Sequence, residues 1–133
     1  MIAVDASVLI GHLNTDDANR AAADQLLREY GPDNFGVSQL TMAEVLVKPA
    51  RDGRLKQIGA ALRRLGVEEI PFGRHASVRL ALLRAETSLK MPDCCVLLAA
   101  EDIGATVILT LDDRLRDHAR RLGFDCPDGR PTH

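Results

Sequence analysis

The sequence predicts an α/β fold: a three-layer α/β/α sandwich around a mainly parallel central sheet. Two observations carry that expectation. Short β-branched runs alternate with longer amphipathic stretches along the whole chain. Apolar residues make up 46% of the chain but aromatics only 3%, so a core of Leu, Val, Ile and Ala is required. The elements follow in order. Ile2–Val4 is a first strand, and Val8–Leu13 an apolar helical turn. "TDDANRAAADQLLREYGP" is a helix with Thr15 as N-cap, Ala22, Leu26 and Tyr30 on one face, and Gly31-Pro32 as the stop. "FGVSQL" is a second strand, and "TMAEVLVKPARDGR" a helix that Pro49 bends or ends. Leu55–Leu65 and Ala76–Leu89 are amphipathic helices on either side of a third strand, "VEEIPF". "MPDCCVLLAAEDIGA" is a helix with Pro92 at its first position and Gly104 after it. "TVILTL" is the clearest strand, "DDRLRDHARRLG" a final helix, and "FDC" a short last strand.

At 133 residues the chain is expected to form a single domain, 1–133, large enough for a real core. No linker, repeat or low-complexity tract divides it. The cysteines, Cys94, Cys95 and Cys126, have no C-x-x-C spacing, so neither a disulfide framework nor a zinc site is expected, and a reducing cytoplasm is. No signal peptide opens the sequence, and its longest apolar run, Cys94 to Ala100, is too short for a membrane span. The scarcity of aromatics argues against a base-stacking platform for single-stranded nucleic acid.

The chemistry rests on acids. Asp5 sits at the seam between two apolar stretches, where a lone carboxylate is costly unless paired, hydrogen-bonded or metal-bound. Asp112 follows the "TVILTL" strand, Glu44 lies just after the second strand, and Asp93 opens a helix. Each has a bland reading. Glu44 completes a capping box with Thr41. Asp93 favours its helix dipole. Asp112 and Asp5 serve as N-caps. Capping, however, gives no reason for acids from such distant segments to meet. In an open parallel sheet the carboxyl ends of the strands share one edge, where ligands bind. Clustered carboxylates raise one another's pKa values unless a cation neutralises them, and all-oxygen ligands suit Mg²⁺ or Mn²⁺. Ser7 and Thr110 lie near the same edge and add hydroxyls.

"VDASVLI", "SQLTMAEVL" and "KMPDCCVLLAAEDIGATVILTLDD" together, in that order and spacing, resemble the PIN domain, and within it the VapC-like toxin ribonucleases. The resemblance spans nearly the whole chain. It implies that Asp5, Glu44, Asp93 and Asp112 form an acidic metal site for Mg²⁺ or Mn²⁺, with Ser7 and Thr110 auxiliary to the metal or scissile phosphate. Asp113 stands immediately after Asp112, and either could face the metal. Cys94 stands where a small residue such as alanine is common in the family. The implied activity is metal-dependent hydrolysis of RNA phosphodiesters by a toxin. The expected partners are an RNA substrate, a cognate antitoxin protein that blocks the site, and a second copy of the chain in a homodimer.

Two other readings compete. A haloacid-dehalogenase-like phosphatase also places an aspartate after its first strand, but wants a second two residues on, where this chain has Ser7; Lys90 is its only other support. A catalytically silent PIN-like interaction module would be signalled by a missing acid, and none is missing. His12, His75, His118 and His133 lack metal-ligand spacing, and the glycines form no phosphate loop. The basic stretch from Lys48 to Arg64 is either a solvated face or a track for an RNA backbone.

Overall fold

A computed structural model describes residues 1–129. Its sheet has four parallel strands, β1 (Ile2–Val4), β2 (Phe35–Ser38), β3 (Val67–Ile70) and β4 (Ile108–Leu109), in the order β3-β2-β1-β4. Around it lie α1 (Ala6–Leu13), α2 (Arg20–Glu29), α3 (Gln39–Arg51), α4 (Leu55–Leu65), α5 (Ala76–Thr87), α6 (Met91–Asp102) and α7 (Asp113–Arg121).

The central strand shows why the sheet is covered on both faces. Ile2 and Val4 pack with α1–α4 residues such as Leu9, Leu26, Val45 and Leu62, while Ala3 packs with Leu97, Ala100 and Leu115 of α6 and α7. Alternate residues of one strand thus enter two cores, as the two-residue period of a strand demands. The first three strands step one way across the sheet, and the chain then returns to the far side of β1 to lay down β4. Right-handed crossovers put the helices of those two halves on opposite faces. The reversal leaves a crevice at the carboxyl ends of β1 and β4. Asp5 and Thr110 stand there.

Several boundaries depart from the sequence expectation. The second helix begins at Arg20 with Asn19 as its cap residue, not at Thr15. Asn14 Oδ1 accepts from the Asp16 amide and Asp17 Oδ1 from that of Asn19, so local side-chain bonds hold this segment in turns. Its buried stripe is Ala23, Leu26 and Leu27 rather than Ala22, Leu26 and Tyr30. Helix α3 starts earlier, capped by Ser38, whose Oγ accepts from the Thr41 amide at 3.0 Å. It also runs two residues past Pro49, to Arg51. The "TVILTL" strand contributes only Ile108 and Leu109 to the ladder, and "FDC" only a parallel bridge between Asp125 and Val107. Gly36 of β2 lies so close to the residue after α6 that an added Cβ would fall 2.9 Å from Ile103 Cδ1. Among the described residues no helix is long and apolar enough to cross a membrane.

Candidate functional site

Asp5 follows β1 directly and is 9% exposed. It occupies the cap position of α1, yet its side chain makes no capping bond. Instead one oxygen, Oδ2, accepts from Ser7 Oγ at 2.8 Å and from Thr110 Oγ1 at 2.7 Å. Each hydroxyl is itself held by the backbone beyond β4. The Leu111 amide donates to Ser7 Oγ, and the Asp112 amide to Thr110 Oγ1, both at 3.0 Å. The carboxylate is therefore buried, oriented and tied to both strand ends. Burial raises its pKa above the ordinary carboxylate value; the two hydroxyl bonds pull it back and Asp112 pushes it up again.

The remaining acids surround it. Asp112 does cap α7, but with one oxygen: Oδ1 accepts from the Arg114 and Leu115 amides at 2.9 and 3.1 Å. Asp93 stands in the first turn of α6, with its pKa pushed up to about 6 by burial first, then by the charges of Asp5 and Asp112, and more weakly by Glu44, against the pull of Lys90. Glu44 is exposed at the rim; partial desolvation and then the charge of Asp5 raise its pKa. Because Ser38 rather than Thr41 caps α3, Glu44 lies beyond the first turn and completes no capping box. Its bland reading falls. Asp113 is bound to the buried Arg116 and its side chain is 77% exposed. It contributes to none of these shifts, whereas Asp112 raises both Asp5 and Asp93.

Asp93 thus feels the charges of Asp5, Asp112 and Glu44, and all four of these groups are oxygen donors. Oxygen donors of this kind are what Mg²⁺ and Mn²⁺ take. The side chains do not form a closed cage: no group of three or more His, Cys, Asp or Glu among the described residues is gathered tightly enough to enclose an ion. Like charges hold one another apart.

Arg116 was not singled out by sequence reasoning. It is buried, donates to the Thr110 carbonyl at 3.0 Å through Nη2 and pairs with Asp113 through Nη1. It props the residue that bonds Asp5. The signal was present as an acid in the first turn of α7 with an arginine three positions on. Among the described residues the histidines take no part in the bonds that hold Asp5 and Asp112. His12 Nδ1 is 2.7 Å from Asp24 Oδ1, His75 precedes α5, and His118 lies in the last turn of α7. His133 lies outside the described residues. Cys94, Cys95 and Cys126 are buried and free.

A family model for the PIN domain matches residues 2–121, from β1 to the end of α7. The chain belongs to the PIN domain family. All four acids and both hydroxyl residues of this PIN domain fall inside the matched region. No curated protein sequence matches it. Among solved structures it is similar to a toxin–antitoxin complex from Klebsiella pneumoniae, at 24% identity over 84% of this chain and 87% of that one, with a TM-score of 0.71. Mycobacterium tuberculosis VapC20, a sarcin–ricin loop cleaving toxin, aligns at 18% identity over 98% and 100% of the two chains, with a TM-score of 0.71. VapBC2 from Rickettsia felis, bound to a promoter DNA fragment, aligns at 15% identity over 96% and 98%, with a TM-score of 0.67. These likenesses establish the PIN fold of the chain.

Proposed function

We propose that this PIN domain is the toxin of a toxin–antitoxin pair and hydrolyses RNA phosphodiester bonds with Mg²⁺ or Mn²⁺. The observation that carries the proposal is the placement of Asp5, buried at the end of β1 with one oxygen held by Ser7 and Thr110 and the far end of β4 tied to the same hydroxyls. Burial and the neighbouring acids raise the pKa of Asp5 and Asp93, and a bound cation would offset that cost. When bound, the cation supplies charge neutralisation for in-line attack of water on phosphorus and for the departing oxygen. The chain's own residues do the rest. Ser7 and Thr110 fix one oxygen of Asp5. Asp112 uses one oxygen as a helix cap and keeps the other for the crevice. Asp93 and Glu44 approach from α6 and α3. Asp112 rather than Asp113 is the fourth ligand, because the charge of Asp112 raises both Asp5 and Asp93 while Asp113 acts on neither and its side chain is largely exposed.

An antitoxin partner follows from the toxin reading and accords with the neighbours that were solved as toxin–antitoxin complexes. A homodimer is supported by α5, which has no buried residue and exposes Val78 and Leu82, four positions apart on one face.

The direct test is cleavage of RNA by the purified chain in Mg²⁺ or Mn²⁺. Activity is expected to vanish in excess EDTA and return with added metal. Full activity in EDTA, or none in any divalent cation, overturns the proposal; the latter would leave a silent interaction module. Glu44→Gln separates the ligand role from a structural one. The side chain is exposed and caps nothing, so stability is expected to change by no more than about 0.5 kcal/mol. Cleavage is expected to fall about tenfold or more through weaker metal binding. Thermal melts beside rates make the comparison, and a variant of undiminished rate removes Glu44 from the ligand set.

A further inference from the structure

We propose that Arg116 is a positioning residue of the acid site. Its guanidinium fixes Thr110, and through the Thr110 hydroxyl it fixes both the Asp5 carboxylate and the backbone of Asp112. This rests on the ribonuclease reading above and adds a residue that acts on the acids only through their supports.

The need arises from the shortness of β4. That strand is two residues long and meets β1 in two register pairs, Ala3 with Ile108 and Val4 with Leu109. Thr110 and Asp112 come after the ladder has ended, so strand pairing does not set their positions. Arg116 reaches this segment at three points. Its Nη2 donates to the Thr110 carbonyl at 3.0 Å, its Nη1 pairs with the Asp113 carboxylate, and its amide donates to the Asp112 carbonyl at 3.0 Å. Thr110 is fully buried and passes the constraint on. Its Oγ1 donates to Asp5 Oδ2 at 2.7 Å and accepts from the Asp112 amide at 3.0 Å.

Packing alone does not account for an arginine here. Arg116 is 5% exposed, and its Nε is buried without a hydrogen-bond partner among the described residues. The acid it pairs with, Asp113, stands mostly in water, where an ion pair contributes little. A buried guanidinium with an unfilled donor is less favourable than a well-packed apolar side chain of similar volume. An apolar side chain, however, cannot bind the Thr110 carbonyl. The charges that move Asp5 and Asp93 are those of the neighbouring acids and of Lys90. The role left to Arg116 is geometric.

Two measurements test this, on Arg116→Met, Thr110→Val and the double variant. The first is amide hydrogen exchange in metal-free protein. In Arg116→Met the Leu111 and Asp112 amides, which donate to Ser7 and Thr110, are expected to exchange about tenfold faster or more. Amides in the middle of α6, such as those of Leu97 and Leu98, are expected to keep their wild-type rates. Unchanged exchange at Leu111 and Asp112 overturns the proposal, and so does a rise of equal size in α6, which marks a merely structural role. The second is cleavage of RNA in Mn²⁺. Arg116→Met is expected to lose about tenfold in rate. Because the effect runs through the Thr110 hydroxyl, the double variant should lose no more than about twofold beyond Thr110→Val alone. Losses that multiply overturn that route. Should Arg116→Met melt below the assay temperature, Arg116→Lys takes its place: it keeps the charge without the planar fork, and the same two patterns are expected at smaller size. The exchange measurement requires neither metal nor cleavage. A wild type that cuts no RNA therefore sinks the ribonuclease reading, while exchange alone decides whether Arg116 places Asp5 and Asp112.

Discussion

Asp5→Asn is expected to lower RNA cleavage by about 10³-fold or more while leaving the protein at least as stable at neutral pH. Metal-assisted stabilisation of a phosphoryl transition state is worth several kcal/mol. Each 1.36 kcal/mol lost is a factor of about ten in rate. The stability half of the prediction comes from the surroundings. An asparagine carbonyl accepts the same two hydroxyl bonds from Ser7 and Thr110, and the buried charge is gone. Without the Asp5 charge, the pKa of Asp93 should also move down from about 6, since Asp5 is the largest electrostatic contributor to its rise. Single-turnover cleavage, a circular-dichroism melt and carboxyl titration by NMR read the three consequences. A variant that cuts at the wild-type rate removes Asp5 from the chemistry. A variant that is inactive because it has unfolded removes the inference from the inactivity.

The second large effect is on stability and concerns pH and metal together. Asp93 titrates near 6 in the folded protein against 3.8 for an unperturbed aspartate, and Asp5 and Glu44 are shifted the same way. The folded state thus holds more protons than the unfolded chain between about pH 4 and pH 6. Metal-free stability should fall as pH rises through that window and stay at the lower level above it. On the proposed function, a cation is expected to reverse this by taking the place of the protons. At 100 times its dissociation constant it adds about 2.7 kcal/mol, equivalent to about 10 °C in melting temperature for a domain of this size. The rise is expected at pH 7.5 and should shrink to little at pH 5, where protons compete for the same oxygens. Melts with Mn²⁺, Mg²⁺ and EDTA at the two pH values measure it. An equal rise at both would mean that the cation binds somewhere other than these carboxylates.

The fold and the two strand-end positions were legible from the residues. "IAVD" and "TVILTLD" each put an acid after an apolar run, and a parallel sheet brings such ends together. The helix starts were less legible, because several residues in each region can cap. Ser38 and Thr41 are both good N-caps, three apart, and packing decides between them: Thr41 is buried inside α3 and donates its amide to Ser38. That shift of one turn removes the capping reading of Glu44. The capping reading of Asp112 holds and leaves its second oxygen uncommitted to the cap, since a carboxylate has two oxygens and the cap uses one. That Asp113 pairs with Arg116 while Asp112 caps α7 depends on the burial of Arg116, which reflects how α7 lies on the sheet. Nothing local to the dipeptide records it.

The bond between Thr110 and Asp5 joins residues 105 positions apart. Pairing of β1 with β4 spans a similar distance, with Ala3 opposite Ile108. Contacts so remote in sequence form late and slowly during folding. On a ribosome adding about 5–20 residues per second, the first strand waits about 5–20 s for the last to be made. Until then Asp5 has neither its Thr110 anchor nor Asp112 beside it. On the toxin reading, a nascent chain is therefore harmless for most of its own synthesis, and a translating cell has that interval in which to supply an inhibitor.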